Sequence, residues 1–404
     1  MSNFLTRAEE TAARTKIWND YFITEKFNYE RQEEVYAELM YFDEATKTHT
    51  YKEKNAVGMR YASFERGKPD KKGYPLYIAL HRGGQTLYNE REYEEMKAYY
   101  RDSITDGIYV ACRGVRETYD THFNPESYPL YDRLIQNMIL FKNVDPNRVY
   151  LMGYAAGGDG VYGIAPVMAD RFAAVSMSAG HHNHISPINY MNTPIILQCG
   201  DDDTPYDRHL ETARYGQKLK ALQAEYPGGY VHDVNMHVKK QDRIIDNDST
   251  RNTQTVWHSS GAWLNGKSEP VSKKTNVVDF LNQFTRNPLP HSIAWDLSTR
   301  APLRRIESFY WLKAPAYMDS GVIHTTWNAG KNTAAIITKG VRGKFHVLLN
   351  WDMADFDKPI TLVVNGQTRQ EKVTPCIDII KETTQERGDV NYQFSAMVEV
   401  VVEL

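Results

Sequence analysis

The sequence has little cysteine and no excess of charge of either sign. Its 404 residues contain three cysteines, Cys112, Cys199 and Cys376, with no CxxC pair, so a disulfide framework is not expected. The 48 basic residues are balanced by 51 acidic ones, which leaves a net charge of −3. Such a chain has no general electrostatic attraction for nucleic acid or for anionic lipid, and we expect neither as a partner.

Long hydrophobic runs are also absent. The first residues, MSNFLTRAEETAARTKIW, are polar and charged and lack the apolar stretch of a signal peptide, and no later run has the length of a membrane span. We therefore predict a cytoplasmic protein without a membrane partner. Apolar residues nevertheless make up 41% of the chain, which is enough for the two domains that its length favours.

Residues 1–45 are predicted to form a helical extension. Apolar side chains recur there at helical spacing, first at Phe4, Ala8, Ala12, Ile17 and Tyr21, then, after a polar break, at Val35, Leu39 and Met40. Two interpretations follow from this pattern. The extension packs on the main domain, or it is an arm that docks a partner.

Residues 46–291 are predicted to form an α/β domain. Short apolar runs, most of them separated by helix-length spacers, occur at Tyr74–Leu80, Gly107–Cys112, Arg148–Gly153, Phe172–Gly180 and Pro194–Gly200. Strands buried on both faces have this composition, so the pattern indicates a mostly parallel sheet flanked by helices. Residues 239–275 are polar and without periodicity, which predicts an insertion or a surface loop.

Residues 292–404 are predicted to form a C-terminal β-sandwich. Strand-like segments such as KFHVLLNW and ITLVVNG follow Pro290, and Asn365-Gly366 is a typical hairpin turn. One helix is expected within this domain, near Ile377–Arg387.

The run RVYLMGYAAGGDGVYG, residues 148–163, indicates a buried strand, a glycine-rich turn and a helix. Serine hydrolases carry Gly-x-Ser-x-Gly at such a turn, and here Ala155 occupies the position of the serine. In that arrangement an oxyanion is stabilised by the N–H of the next residue, here Ala156, and by an N–H of an earlier loop. The run His81-Arg82-Gly83-Gly84 follows an earlier predicted strand, where that loop is expected.

Asp203 is the candidate for the acid of a catalytic triad. It lies three residues past Gly200, beyond a later predicted strand, and this is the chain order of an α/β-hydrolase. The neighbouring Asp201 and Asp202 allow another interpretation, in which the three aspartates form a solvated loop with a helix cap at Asp203 or Thr204. A third interpretation is metal capture by the three carboxylates.

The long run DPNRVYLMGYAAGGDGVYGIAPVMADRFAAVSMSAGH, residues 145–181, resembles a group of α/β-hydrolase-fold proteins related to polyhydroxybutyrate-depolymerase-like and feruloyl-esterase-like serine esterases. In that group the turn is normally Gly-Tyr-Ser-Ala-Gly-Gly-Asp-Gly. The resemblance continues through HRGG, CGDDDTPYDR, YPGGYVH, FTRNPLP, FYWL, DFDKPITLVVNG and ERGD, and it covers about residues 51–404. It implies an α/β-hydrolase fold, with the helical extension and the β-sandwich added to it.

The sequence departs from this group at three places. Ala155 replaces the nucleophilic serine, Arg82 interrupts the glycine run of the oxyanion loop, and Ala262 stands where the group has the histidine of a Gly-His-Trp motif. His237 or His258 could substitute for that histidine. The run GHHNH contains three histidines, but their spacing does not provide a convincing third and fourth ligand for a metal ion, so no metal is predicted. No cofactor is predicted either.

These departures predict a catalytically inactive α/β-hydrolase-like protein that acts in binding or as a structural or assembly subunit. A protein partner or self-assembly is expected, together with a small-molecule ligand in the vestigial pocket. The alternative is a serine hydrolase of carboxylic esters or amides, shown here with Ala155 in place of its serine. Asp203 and one of His237 and His258 would then complete the triad.

Overall fold

The computed structural model of the chain describes residues 4–50, 56–83, 89–200, 203–237, 277–299 and 307–403. Contacts divide the chain into two compact units, one of Gln32–Arg286 and one of Met1–Arg31 with Asn287–Leu404. Among the described residues, no helix combines the length and the apolarity needed to cross a membrane.

The larger unit contains, within its described residues, a nine-stranded sheet in the order β2-β1-β3-β5-β4-β6-β7-β8-β9. These strands are β1 Leu39–Asp43, β2 Thr48–His49, β3 Val57–Arg66, β4 Tyr74–Leu80, β5 Gly107–Cys112, β6 Val144–Tyr154, β7 Ala174–Ser178, β8 Ile195–Gly200 and β9 His232–His237. Strands β1 to β3 pair antiparallel, and β3 joins them to β5 in the same sense. From β5 to β9 every neighbouring pair is parallel.

Helices connect most of these parallel strands. The connecting helices are α3 Asn89–Tyr99, α4 Ser127–Lys142, α5 Ala156–Ile164 and α6 Arg208–Glu225, whereas α2 Tyr29–Ala37 precedes β1 and α7 Val277–Leu281 follows β9. Every residue of β5 and of β8 is buried, because crossover helices cover both faces of a parallel sheet. The larger unit thus has the α/β-hydrolase fold that the sequence predicts, with β4 and β5 at the predicted bounds.

The smaller unit combines the first helix with two C-terminal sheets. Its helices are α1 Arg7–Lys26 and α8 Ile377–Arg387, and the latter has the predicted bounds. As far as this unit is described, one sheet has the order β10-β13-β14-β16-β17 and the other β11-β12-β15-β18. The strands are β10 Ser292–Asp296, β11 Ser308–Phe309, β12 Leu312–Lys313, β13 Val322–Asn328, β14 Thr333–Lys339, β15 Gly343–Leu349, β16 Ile360–Val364, β17 Gln367–Glu371 and β18 Ala396–Val402.

The two sheets form the C-terminal sandwich. Trp295 of one sheet stacks on Phe309 of the other with their ring centroids 5.3 Å apart. Asn365 and Gly366 both have positive φ, 49° and 85°, as the predicted two-residue hairpin between β16 and β17 requires.

The N-terminal segment differs from the predicted extension in two ways. The helices end at Ala37, and Leu39–Asp43 form β1 of the large sheet. Ala8 and Ala12, expected on the apolar face, are exposed, while Glu10 and Tyr21 are the buried residues of α1. Apolar spacing does not predict a buried charged side chain such as Glu10, because its burial depends on a hydrogen-bond partner that is distant in the sequence. The predicted insertion at 239–275 lies outside the described residues.

Trp351 holds α1 in the smaller unit. Its backbone N–H donates to Glu10 Oε2 at 3.0 Å, and its indole Nε1–H donates to the Leu5 carbonyl oxygen at 2.9 Å. The Arg7 guanidinium lies 5.2 Å from the centre of the indole ring, and the Phe4 ring packs edge-on against it. The start of α1 is further fixed by a capping box between Thr6 and Glu9.

We expect Trp351→Phe to loosen α1, because phenylalanine keeps the aromatic packing and loses the indole donor. A lost buried hydrogen bond costs about 1 kcal/mol, which corresponds to roughly fivefold faster hydrogen–deuterium exchange of the α1 amides. Trp311→Phe is the matched control, since its indole donates to Pro290, away from α1. Unchanged exchange of α1 in Trp351→Phe would show that this contact does not hold the helix.

Candidate functional site

The residues singled out from the sequence follow the carboxyl ends of parallel strands in the larger unit. The loop with His81, Arg82 and Gly83 follows β4, Ala155 follows β6, and Asp203 follows β8. Carboxyl ends of parallel strands meet at one edge of a sheet, which is where open α/β sheets bind ligands. His237 ends β9 and is paired there with Gly200, so its backbone belongs to the same edge.

Ala155 forms the turn between β6 and α5 with a strained backbone. Its φ of 53° and ψ of −114° are values that an L-residue with a side chain rarely adopts. The turn is held by two backbone hydrogen bonds, from Ala155 N to the Ser178 carbonyl at 3.0 Å and from Asp159 N to the Ala155 carbonyl at 2.9 Å. This is the geometry of a nucleophile elbow, with a methyl group where a hydroxyl would project.

Two glycines allow the backbone segments around this turn to approach closely. A Cβ atom on Gly157 would lie 2.1 Å from the Leu80 carbonyl oxygen, and one on Gly153 would lie 2.0 Å from the Gly157 carbonyl oxygen. Neither position has room for a side chain. The elbow therefore rests directly on the end of β4, and the loop that starts at His81 is brought next to it.

The His81 ring is fully buried and fixes that loop. Its Nδ1–H donates to the Arg82 carbonyl oxygen at 2.5 Å, and its Nε2 accepts the Gly114 N–H at 3.0 Å. Its own carbonyl oxygen accepts a hydrogen bond from His122 Nε2 at 2.9 Å. Burial lowers the pKa of His81 to about 4, so the ring is neutral at pH 7 with both nitrogens engaged. His81 shapes the loop and is not placed to act as a base.

Arg82 points its guanidinium toward the elbow. The guanidinium carbon lies 5.9 Å from the ring centre of Tyr154, the residue before Ala155. Its Nε is paired with the buried Glu92 carboxylate, and its Nη2 lies 3.0 Å from Glu95 Oε2. The cation is therefore tied to helix α3 and lies next to the residue that precedes Ala155.

Asp159 joins the elbow helix to the loop after β7. Its Oδ1 accepts the His181 N–H at 2.6 Å. Burial raises the pKa of this carboxyl to about 7, although the His181 N–H and the nearby Arg208 cation oppose the shift. The sequence analysis assigned no role to Asp159. The feature that could have indicated one is its position within the Gly-Gly-Asp-Gly run of the elbow.

Asp203 is fully buried at the end of β8. Its Oδ1 lies 3.3 Å from Arg208 Nη1, and its Oδ2 lies 3.6 Å from the Cys199 thiol. Its carbonyl oxygen accepts hydrogen bonds from the backbone N–H and from Nδ1 of His209, at 3.2 and 2.9 Å. A buried carboxylate beside a guanidinium anchors the start of α6. The alternative of a solvated loop with a helix cap is wrong for this residue, because Asp203 is fully buried and the residue that precedes α6 is Asp207, whose side chain makes no capping hydrogen bond.

The two histidines that the sequence offers for a triad are not among the described side chains. His258 and the Gly261-Ala262-Trp263 run lie outside the described residues, as does the side chain of His237. In the GHHNH run, His182 Nε2 lies 2.6 Å from Glu211 Oε2, and its Nδ1 accepts the His184 N–H at 3.0 Å. Within the described residues, no group of three or more histidine, cysteine, aspartate or glutamate side chains is arranged to hold a metal ion.

The cysteines have no catalytic arrangement. All three are free thiols, and Cys112 and Cys199 are buried. Burial raises the pKa of the Cys199 thiol well above its usual range, and the adjacent Asp203 charge raises it further. Cys199 is thus a small buried residue at a strand end.

The chain matches no protein-family model, and no curated protein matches it. Among solved structures it is similar to a thermostable esterase, with 19% identity and a TM-score of 0.42 over 62% of this chain and 63% of the esterase. It is also similar to a poly(3-hydroxybutyrate) depolymerase from Bordetella parapertussis, with 13% identity and a TM-score of 0.39 over 54% of this chain and 87% of the depolymerase. A lipase/esterase from Lactobacillus plantarum is 13% identical, with a TM-score of 0.32 over 46% of this chain and 86% of that protein.

Asp159 makes the stability of the larger unit depend on pH. Its folded-state pKa of about 7 lies above the ordinary 3.8, so its contribution is fully present below about pH 4 and is lost as the pH rises through about 7. In Asp159→Asn this loss disappears. We expect the decline in thermal midpoint between pH 5 and pH 8 to shrink by at least about 2 °C, measured by calorimetry.

The control for this measurement is Asp233→Asn, which removes an exposed carboxylate from β9 of the same unit. That variant should keep the parent's pH profile. If Asp159→Asn keeps it too, the Asp159 carboxyl titrates normally and the account of its burial is wrong.

Proposed function

We propose that the chain is a catalytically inactive relative of the polyhydroxybutyrate-depolymerase-like and feruloyl-esterase-like serine esterases, and that it acts in binding or as an assembly subunit. The observation that carries this proposal is the elbow at Ala155. Its backbone has the strained geometry that presents a nucleophile, and its side chain is a methyl group. The cytoplasmic location stays a prediction from the sequence.

An alanine at this position removes the covalent step of ester hydrolysis. A serine hydrolase forms an acyl-enzyme through its hydroxyl oxygen, and a methyl group cannot bond to the acyl carbon. The oxyanion donors and substrate binding that remain in such a site give catalysis several orders of magnitude weaker than the full triad.

The surroundings of the elbow support the loss of activity in a second way. Arg82 is held beside Tyr154 by two glutamates, in the loop where the esterase group has a glycine run. A long cationic side chain there restricts the approach of an acyl group to the Ala156 N–H. The Asp203 carboxylate is engaged by Arg208, which stabilises the start of α6 whether or not a histidine is oriented.

The fold does not need the catalytic groups. Its stability depends on the buried strands and on the glycine contacts of the elbow, whereas hydrolysis depends on a few polar side chains. The N–H groups of Gly83 and Ala156 are present without a serine, so we infer that the pocket can still hold a small molecule. A protein partner or self-assembly is the other use that we propose for this scaffold.

One observation favours the alternative function, a serine hydrolase of carboxylic esters or amides shown with alanine in place of its nucleophile. The backbone of the elbow is formed, and Asp203 after β8 and His237 at the end of β9 stand in the chain order of a Ser-Asp-His triad. If Ala155 is an isolated replacement, restoring the serine restores the enzyme.

The test is hydrolysis of p-nitrophenyl butyrate by the protein and by Ala155→Ser. We expect the protein to hydrolyse the ester at most at the low residual rate of a site without a nucleophile, and we expect no strong recovery from Ala155→Ser, because Arg82 and Ala262 also depart from the esterase pattern. The double variant Ala155→Ser/Arg82→Gly tests whether the Arg82 cation alone blocks the site, in which case it hydrolyses the ester faster than Ala155→Ser.

Ala329→Ser, at an exposed position of the smaller unit, controls for the added hydroxyl. The thermal midpoint of each variant confirms that it folds. A rate for Ala155→Ser several orders of magnitude above this control would overturn the inactive-site proposal and favour the serine hydrolase.

A further inference from the structure

Three tyrosines lie together in the core between the elbow helix and α6. Tyr162 is on α5, Tyr215 is on α6, and Tyr190 is in the turn Ile188–Asn192. The Tyr162 and Tyr215 rings are 4.8 Å apart and cross at 69°, and the Tyr190 and Tyr215 rings are 6.5 Å apart and cross at 86°. All three side chains are fully buried, with 0% of their surface exposed.

None of these three hydroxyl groups has a hydrogen-bond partner in the part of the chain that the structure describes. A buried polar group without a partner destabilises the folded state, because the hydrogen bonds that it made to water are lost and not replaced. Three such groups in one cluster are a large loss for a protein, since folded proteins are only marginally stable. A stable fold therefore satisfies these hydroxyls with something other than the protein atoms that the structure describes.

The hydroxyls lie close enough to affect one another. The pKa of Tyr190 is raised well above its usual range by burial and by the neighbouring Tyr215 and Tyr162 hydroxyls. Burial raises the pKa of Tyr162 in the same direction, and Tyr215 adds to it. All three groups are thus protonated at neutral pH, and each has one donor and one acceptor function to satisfy.

This donor and acceptor pattern selects the ligand. A cation would use the acceptors alone, and an anion the donors alone. A water molecule has two donors and two acceptors, and a buried water typically makes about three hydrogen bonds to protein groups. Globular proteins contain on the order of one buried water per 27 residues, so a unit of this size is expected to hold several.

We propose that the Tyr162, Tyr190 and Tyr215 hydroxyls bind ordered internal water between α5 and α6. This site is separate from the proposed function and does not depend on it. Water held there joins the elbow helix to the helix that begins at Arg208, the partner of Asp203.

The test compares Tyr162→Phe, Tyr190→Phe and Tyr215→Phe in the full chain by calorimetry. Each change removes one oxygen atom and keeps the ring. A hydroxyl that binds water loses real hydrogen bonds in this change, so we expect each midpoint to fall by roughly 2–4 °C. The loss in Tyr162→Phe/Tyr215→Phe should be smaller than the sum of the two single losses, because they share water.

Tyr109→Phe is the reference variant, because the Tyr109 hydroxyl is buried and donates directly to the Met96 carbonyl oxygen at 2.5 Å. Its change in thermal midpoint measures the loss of a buried hydroxyl that is bonded to protein. A crystal structure of the parent should show ordered water within about 3.2 Å of the three hydroxyl oxygens. Midpoints in all three variants equal to or above that of the parent would overturn the proposal. Electron density without water at these oxygens would overturn it as well.

Discussion

The turn from β6 into α5 is the constraint on which the rest of the site depends. The chain passes from strand to helix at one residue, Ala155, and does so only with a positive φ. Gly157 then lies against the Leu80 carbonyl, so the turn also positions the loop with His81 and Arg82. One backbone conformation thus brings the end of β4 to the end of β6. It depends on the backbone and on the glycine contacts, so the arrangement does not require a hydroxyl group at residue 155.

The polar groups around this turn now have mainly structural contacts. His81 is neutral and uses both ring nitrogens to hold its loop, and Asp203 is bound to Arg208 at the start of α6. Asp159 ties the elbow helix to His181. Such contacts stabilise a fold without catalysis. They agree with the inactive scaffold that we propose, and the same contacts would also serve an enzyme whose serine was replaced.

The amino-acid pattern predicts the larger unit well, because parallel strands buried on both faces give short apolar runs with sharp ends. Strands β4 and β5 and helix α8 have their predicted bounds. Prediction fails where a partner is distant in sequence. Glu10 faces inward because its carboxylate accepts a hydrogen bond from the Trp351 N–H. Trp351 is 341 residues further along the chain, so apolar spacing around Glu10 does not reveal this contact. The sequence motif predicts the elbow, whereas the contact between Asp203 and Arg208 is seen only in the folded structure.

The central claim is that Ala155 keeps the strained backbone of a nucleophile elbow, and the change in unfolding free energy for Ala155→Gly tests it most directly. Glycine adopts this conformation without the strain of about 1–3 kcal/mol expected for alanine, while its greater freedom in the unfolded chain costs about 0.4–1 kcal/mol. The account predicts a larger unit that is more stable by about 1 kcal/mol. A loss of stability, as for an ordinary alanine-to-glycine change, would contradict it.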